Sequence, residues 1–440
     1  MLPSSGMISL DNVNVELGRT SGSMISLGDS AVRILANKLE GPISMHDLHG
    51  KSHIERFVDK ESFMRVRDSW LKKFNNDLRD VTLEFTSETA IDFSGLFKGT
   101  SITSTPKKII IAQGKRNQII LSELFYGLTT LRDISPELFK HIEVDFIGDA
   151  MFKSTYIRSI PEGLFNFTKI VSAIQCFSEC PELITVPVDI LSRASSLRGL
   201  QGLFKNSVQV ETAIEFPNLC KATDISEMYY NTGIREVPEG MFYNFPRITA
   251  NKHCFGNCRK LRMVLGTLYN MNRTSRYDIE EFGGEFEGCT ALESVADNIY
   301  GDPTCFYTIG TLRGFKGCVN LTTCPTMLFS KEVKVRNILD IFNGCTKMTL
   351  GKLEFNRFEN VETILNAYKD CTSLLDAPGF WLSKEKLNDV SGCFDGCSNY
   401  TGAITELWTG MSMFIPKKHE YYARGCFNAS NYISIPSDWK

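Results

Sequence analysis

Gly314-Phe315-Lys316-Gly317-Cys318-Val319-Asn320-Leu321 is the stretch whose reading decides the fold, because its pattern returns along most of the chain. Two close copies are Cys176-Phe177-Ser178-Glu179-Cys180-Pro181-Glu182-Leu183 and Ile341-Phe342-Asn343-Gly344-Cys345-Thr346-Lys347-Met348. The aromatic anchors are Phe97, Phe125, Phe152, Phe177, Phe204, Tyr229, Phe255, Phe286, Phe315, Phe342, Tyr368, Phe394 and Phe427. Successive anchors lie 25 to 33 residues apart, mostly near 27. Apolar anchors at such a period specify a solenoid, because one unit buries its face only by stacking on its neighbours. One ring per coil predicts an internal stacked column.

Three residues after each anchor comes a second series: Thr100, Leu128, Thr155, Cys180, Ser207, Thr232, Cys258, Cys289, Cys318, Cys345, Cys371, Cys397 and Ser430. All but Leu128 are small with a modest hydrogen-bonding group, which suits a tight interior corner where a backbone group needs a partner. The expected repeat core therefore includes the pairs Phe177/Cys180, Phe255/Cys258, Phe315/Cys318, Phe342/Cys345 and Phe394/Cys397. A third series, including Leu131, Ile157, Leu183, Leu261, Leu321 and Ile433, fits a strand leaving the corner. Phrases such as Pro161-Glu162-Gly163-Leu164-Phe165 and Pro238-Glu239-Gly240-Met241-Phe242 then end it, since proline offers no ladder donor. They read as a turn or as the first turn of a short helix.

The combined phrase resembles the leucine-rich repeats of bacterial surface proteins of the BspA-like type. The resemblance runs from about Phe93 to the C-terminus. It implies an α/β repeat solenoid of about 13 coils of roughly 27 residues. The units at Phe286 and Phe394 depart from the pattern, lacking the proline and carrying long inserts.

Composition sets outer bounds. The chain has 440 residues, 42% hydrophobic and 22% charged, with a formal charge of −3. That balance gives no basic face for nucleic acid. No apolar run approaches the roughly 18 residues of a membrane span. Met1-Leu2-Pro3-Ser4-Ser5-Gly6 carries neither the basic nor the apolar region of a secretory signal. Of fourteen cysteines, seven share the corner position, and Cys176, Cys254, Cys393 and Cys426 directly precede an anchor. Periodic placement without matching histidines points to reduced core thiols rather than zinc or disulfides.

Residues 1–53 have another texture. Ile8-Ser9-Leu10-Asp11, Ile25-Ser26-Leu27-Gly28-Asp29 and Ile43-Ser44-Met45-His46-Asp47 echo one another. Ser9, Ser26 and Ser44 read as helix N-caps, and Gly18 and Gly50 as stops. Helices so short are marginal alone, so Ile8, Leu10, Val13, Leu17, Ile25, Leu27, Val32, Leu35, Ile43 and Leu48 are expected to find cover on a partner, or on the rest of the chain. The linked phrases, from Pro3 to Leu10, Ile25 to Arg33 and Gly41 to Ser52, resemble the N-terminal segment of tailed-bacteriophage virion proteins. That resemblance implies assembly into a particle, at the tail, baseplate, fibre or capsid, with oligomeric packing among other virion proteins. Synthesis would be in the host bacterial cytoplasm and residence in the virion.

The expected division is an attachment segment over 1–53, a helical junction and cap over 54–92, and the solenoid over 93–440. In the junction, Ile54, Phe57, Val58, Met64, Leu71, Phe74 and Leu78 fit helical spacing, and Val81 to Phe85 alternates like a strand.

Catalytic patterns are weak. Gly50-Lys51-Ser52 imitates the end of a phosphate loop, but Met45 stands where its first glycine belongs. His46, His49 and His53 are interrupted by Gly50. Asp278, Glu280 and Glu281 are a conceivable glycosidase pair, with an exposed charged loop as the simpler reading. The sequence thus predicts no catalytic residue, metal or cofactor. The leading expectation is a non-enzymatic virion protein whose solenoid docks proteins or binds a host surface receptor. The alternatives are a bacterial adhesin or ligand-binding repeat protein, a capsid decoration protein, or a polysaccharide-degrading spike.

Overall fold

A computed structural model describes residues 2, 7–17, 19–36, 38, 40–48, 54–112, 114, 118–142, 144–165, 169–270, 277–377, 386–401 and 424. Two compact units divide the chain, one comprising residues 1–172 and 180–194, the other 173–179 and 195–440. Phe427, Ser430, Ile433, Cys426, Gly18, His49 and Gly50 to His53 lie outside the described residues.

The fold is a β-solenoid with about 11 turns of roughly 27 residues. Its coils are built around the anchors. In the first unit Phe97 stacks on Phe125 and Phe125 on Phe152, each pair with centroids 5.2 Å apart. In the second, a column runs from Phe177 through Phe204, Tyr229, Phe255, Phe286, Phe315, Phe342 and Tyr368 to Phe394, at spacings of 5.5 to 5.9 Å. These separations fall in the favourable range for offset aromatic pairs. Anchor N–H groups donate one coil onward, as from Phe97 to the Leu124 carbonyl and from Phe342 to that of Ala367.

A turn holds each ring in place. The residue two places after the anchor has positive φ in every described coil, from Gly99 and Gly127 through Asn206 and Asn257 to Gly344, Asp370 and Gly396. Bulkier side chains resist that left-handed region, which explains why glycine, asparagine and aspartate dominate there.

Short strands of the first unit form two three-stranded parallel sheets. Strands β1 (Ile54–Phe57), β2 (Thr82–Phe85) and β3 (Lys108–Ile111) form one sheet, and β4 (Gln118–Ile120), β5 (Asp145–Ile147) and β6 (Ile170–Ser172) another; single-pair bridges such as Ser104 to Asp133 extend the stacking. The junction is therefore not the helix that Ile54 to Leu78 suggested. Ile54–Phe57 is a strand, and helix α3 (Lys60–Met64) starts only after Asp59, whose side chain accepts from the Ser62 N–H. Helix α4 (Arg67–Lys73) follows separately. Apolar residues at i, i+3 and i+4 here serve two different elements, and Val58 and Met64 are exposed.

In the second unit β7 (Glu236–Val237), β8 (Met263–Val264) and β10 (Ser294–Val295) pair in parallel just after the corner. A wider parallel sheet joins β9 (Tyr277–Gly283), β11 (Phe306–Arg313), β12 (Val333–Leu339), β13 (Phe358–Glu359) and β14 (Thr363–Leu365). This is what the inserts around Phe286 build, and the anchor column continues undisturbed past them. Asp278, Glu280 and Glu281 thus belong to a strand rather than a loop. The proline phrases open turns, with Gly163 and Gly240 at positive φ, so the return arms there do not become helices.

Residues 7–48 build a small core. Helices α1 (Leu10–Glu16) and α2 (Ser30–Ala36) and the 3-10 turn Met45–Leu48 bury Ile8, Val13, Leu17, Val32, Leu35 and Leu48 together, with Ile25, Leu27 and Ile43 packed against them.

Candidate functional site

Two surfaces and one buried polar cluster carry what is special to this chain. At the N-terminal segment, the three echoing phrases form one repeated device. The Ser9 N–H donates to Asn12 Oδ1 at 2.9 Å, Ser26 N–H to Asp29 Oδ2 at 3.2 Å, and Ser44 N–H to Asp47 Oδ2 at 2.8 Å. Ser9 caps α1 as expected. Ser26 does not cap α2; it makes a turn, and the Asp29 carbonyl accepts the first helical N–H, from Arg33. Hydrogen bonds from Lys38 and Ser44 hold the Asp47 carboxyl down to about 2.

This geometry corrects the expectation that the segment's apolar residues need a partner. Val13, Val32 and Leu48 are fully buried, and Ile8, Leu17 and Leu35 nearly so, against each other. Leu10 alone among the ten is exposed, at 41%; Ile25, Leu27 and Ile43 are half-buried. The outward apolar side chains are instead Met7, Leu10, Val15 and Met24. Leu10 was among the ten expected to need cover, whereas Met7, Val15 and Met24 carry no periodic signal in so short a segment.

In the solenoid the corner residues work as their spacing suggested. The Cys258 thiol donates to the Tyr229 carbonyl at 2.9 Å, Cys318 to Phe286 at 3.1 Å, Cys345 to Phe315 at 3.2 Å and Cys397 to Tyr368 at 3.0 Å. Cys180 donates to Phe152 at 3.1 Å, and the Ser207 hydroxyl does the same for Phe177 at 2.7 Å. In each case the acceptor is the anchor carbonyl one coil back. The thirteen described cysteines are buried. Burial pushes the Cys258 thiol up to about 11, which disfavours the thiolate needed for nucleophilic attack or metal binding.

The buried polar cluster centres on Glu285, which stands directly before the Phe286 anchor where other coils place Leu, Met, Cys, Ile, Ala or Gly. Its carboxylate accepts from Tyr269 Oη at 2.8 Å, Tyr300 Oη at 3.0 Å and Asn251 Nδ2 at 2.5 Å. Burial raises its pKa to about 7, the three donors partly opposing that rise.

The outer face of the wide sheet is polar. Lys252 approaches Glu281 at 3.5 Å, and Arg313 bonds the same carboxylate. A carboxylate so engaged with two cations is poorly placed to act as a nucleophile. His253 pairs with Glu287 at 2.9 Å. Among the described residues, no group of three or more His, Cys, Asp or Glu is arranged to hold a metal ion, and no helix is long and apolar enough to cross a membrane.

Among solved structures, the chain is similar to a leucine-rich repeat protein from Bacteroides ovatus, with 19% identity over 73% of this chain and 78% of that one, at a TM-score of 0.40. It is also similar to a leucine rich cell surface protein from Faecalibacterium prausnitzii, with 14% identity, 67% and 83% coverage, and a TM-score of 0.28. No protein-family model and no curated protein matches the chain.

Proposed function

We propose that this protein is a non-enzymatic structural component of a tailed-bacteriophage particle, attached through residues 1–53 and presenting its solenoid for protein docking or receptor binding. The observation that carries the reading is the N-terminal segment: three phrases resembling virion proteins, each locked by the same serine-to-Asx hydrogen bond. With its core filled from within, the segment offers Met7, Leu10, Val15 and Met24 to a neighbour. Side chains of this kind favour burial by about 1.5–3 kcal/mol each. Solenoids bind through broad faces, which suits the repeats to recognition rather than turnover. Labelled antibody against the repeats should decorate intact particles at one defined position. Absence from purified particles, together with recovery in a bacterial envelope fraction, would favour the second reading. That reading, a bacterial surface repeat protein, draws on the BspA-like pattern of the coils.

A further inference from the structure

We infer that the second unit carries a saccharide-binding site at the rim of its wide parallel sheet. Three consecutive coils meet there around an open recess of about 530 Å³, whose lining includes Tyr307, Lys331, Glu332, Lys334, Arg357 and Glu359. That volume lies within the roughly 300–1,000 Å³ typical of small-ligand sites. The side chains sit on neighbouring strands by register, with Lys334 of β12 opposite Glu359 of β13.

The aromatic marks the site. Tyr229, Tyr269, Tyr300, Tyr368 and Tyr400 are fully buried in the coils, whereas Tyr307 is 54% exposed at the edge of the recess. An exposed ring on a rigid strand offers an apolar face to a ligand with its own flat C–H face, at low conformational cost.

Charge narrows the ligand. Two of the three cations are already matched, Lys331 by Asp302 at 2.6 Å and Arg357 by Glu354 at 2.6 Å. Among the described residues, Lys334, Glu332 and Glu359 form no ion pair. The recess therefore sets one unmatched charged donor beside two unmatched charged acceptors, with one negative charge in excess. An anion would meet two carboxylates, and an apolar ligand would strand the polar groups unpaired. A ligand dense in hydroxyls, each both donor and acceptor, satisfies them, and a pyranose ring supplies the face for Tyr307. The ligand class is a neutral oligosaccharide, and the site's existence does not depend on the particle assignment.

The test is binding of the full chain to neutral oligosaccharides of the glucose, galactose, mannose and N-acetylglucosamine series, read by saturation-transfer NMR and titration calorimetry. Oligouronates and inorganic phosphate form the anionic arm. At least one neutral series should bind saturably. Y307A and K334A should each weaken that binding by roughly tenfold, as for an anchor residue of an interface, while Y307F keeps most of it. Unchanged thermal melting of the variants separates lost contacts from lost fold. No saturable binding by any neutral series, binding only by the anionic probes, or binding indifferent to both alanine substitutions would each overturn the inference.

Discussion

Replacing Glu285 by glutamine isolates the titration of a carboxyl sealed inside the solenoid. The glutamate is fully buried, and among the described residues no cation pairs with it; its partners Tyr269, Tyr300 and Asn251 are all neutral donors. Its pKa rises from an ordinary 4.5 to about 7 on folding. At about 1.4 kcal/mol per pKa unit, that difference corresponds to about 3 kcal/mol. The folded chain then holds a proton that the unfolded chain has released between those two pKa values, so stability falls as pH rises through this window. The contribution is fully present below about 4.5 and lost above about 7. Glutamine keeps the shape and cannot titrate. Guanidinium denaturation of both proteins, followed by circular dichroism at several pH values across the window, gives the difference directly, because other titrating groups largely cancel. The stability of the natural protein relative to E285Q should drop by about 3 kcal/mol from the acid to the neutral end of the window, then level. Parallel profiles for the two proteins would refute the reasoning, since Glu285 would then have the same proton affinity folded and unfolded.

Three further outcomes follow from the coils. C318A removes the thiol that serves the Phe286 carbonyl and should cost about 1–2 kcal/mol in denaturant unfolding, whereas C318S should cost less because Ser207 makes the same bond in its own coil. G344A places a Cβ on a residue at φ +77° that has room for it, so backbone strain alone should cost about 1 kcal/mol by the same assay. Alkylation under native conditions should leave the thirteen buried cysteines largely unlabelled, and labelling after denaturation should reach all fourteen of the chain.

The repeating features were the legible ones. Thirteen anchors in register average out local accidents, so the ring column, the corner thiols and the buried third series could all be read from spacing. The left-handed residue after each anchor was equally visible, as Gly99, Gly127, Asn206, Gly317 and Gly344, but attention to side chains that pack hides residues chosen for backbone freedom. Single-copy features fared worse. Ile54, Phe57 and Val58 match a helical stripe by coincidence, and only the parallel partner Thr82–Phe85, far along the chain, makes the first two of them part of a strand. The apolar residues of 1–48 looked unpartnered because their partners are one another, across turns that no periodicity encodes. Glu285 was invisible for the opposite reason: one carboxylate among many, distinguished only by the tyrosines that the coil brings to it.

Attachment through the N-terminal segment is tested most directly by substituting its outward apolar residues, which leaves its core undisturbed. Full-length protein carrying M7S, L10S, V15S and M24S should fold and melt like the natural chain, because these side chains lie outside the cluster around Val13, Val32 and Leu48. Supplied during infection in place of the natural protein, it should be missing from particles purified by density gradient. Incorporation at the natural level would contradict the account and move the attachment surface elsewhere in the chain.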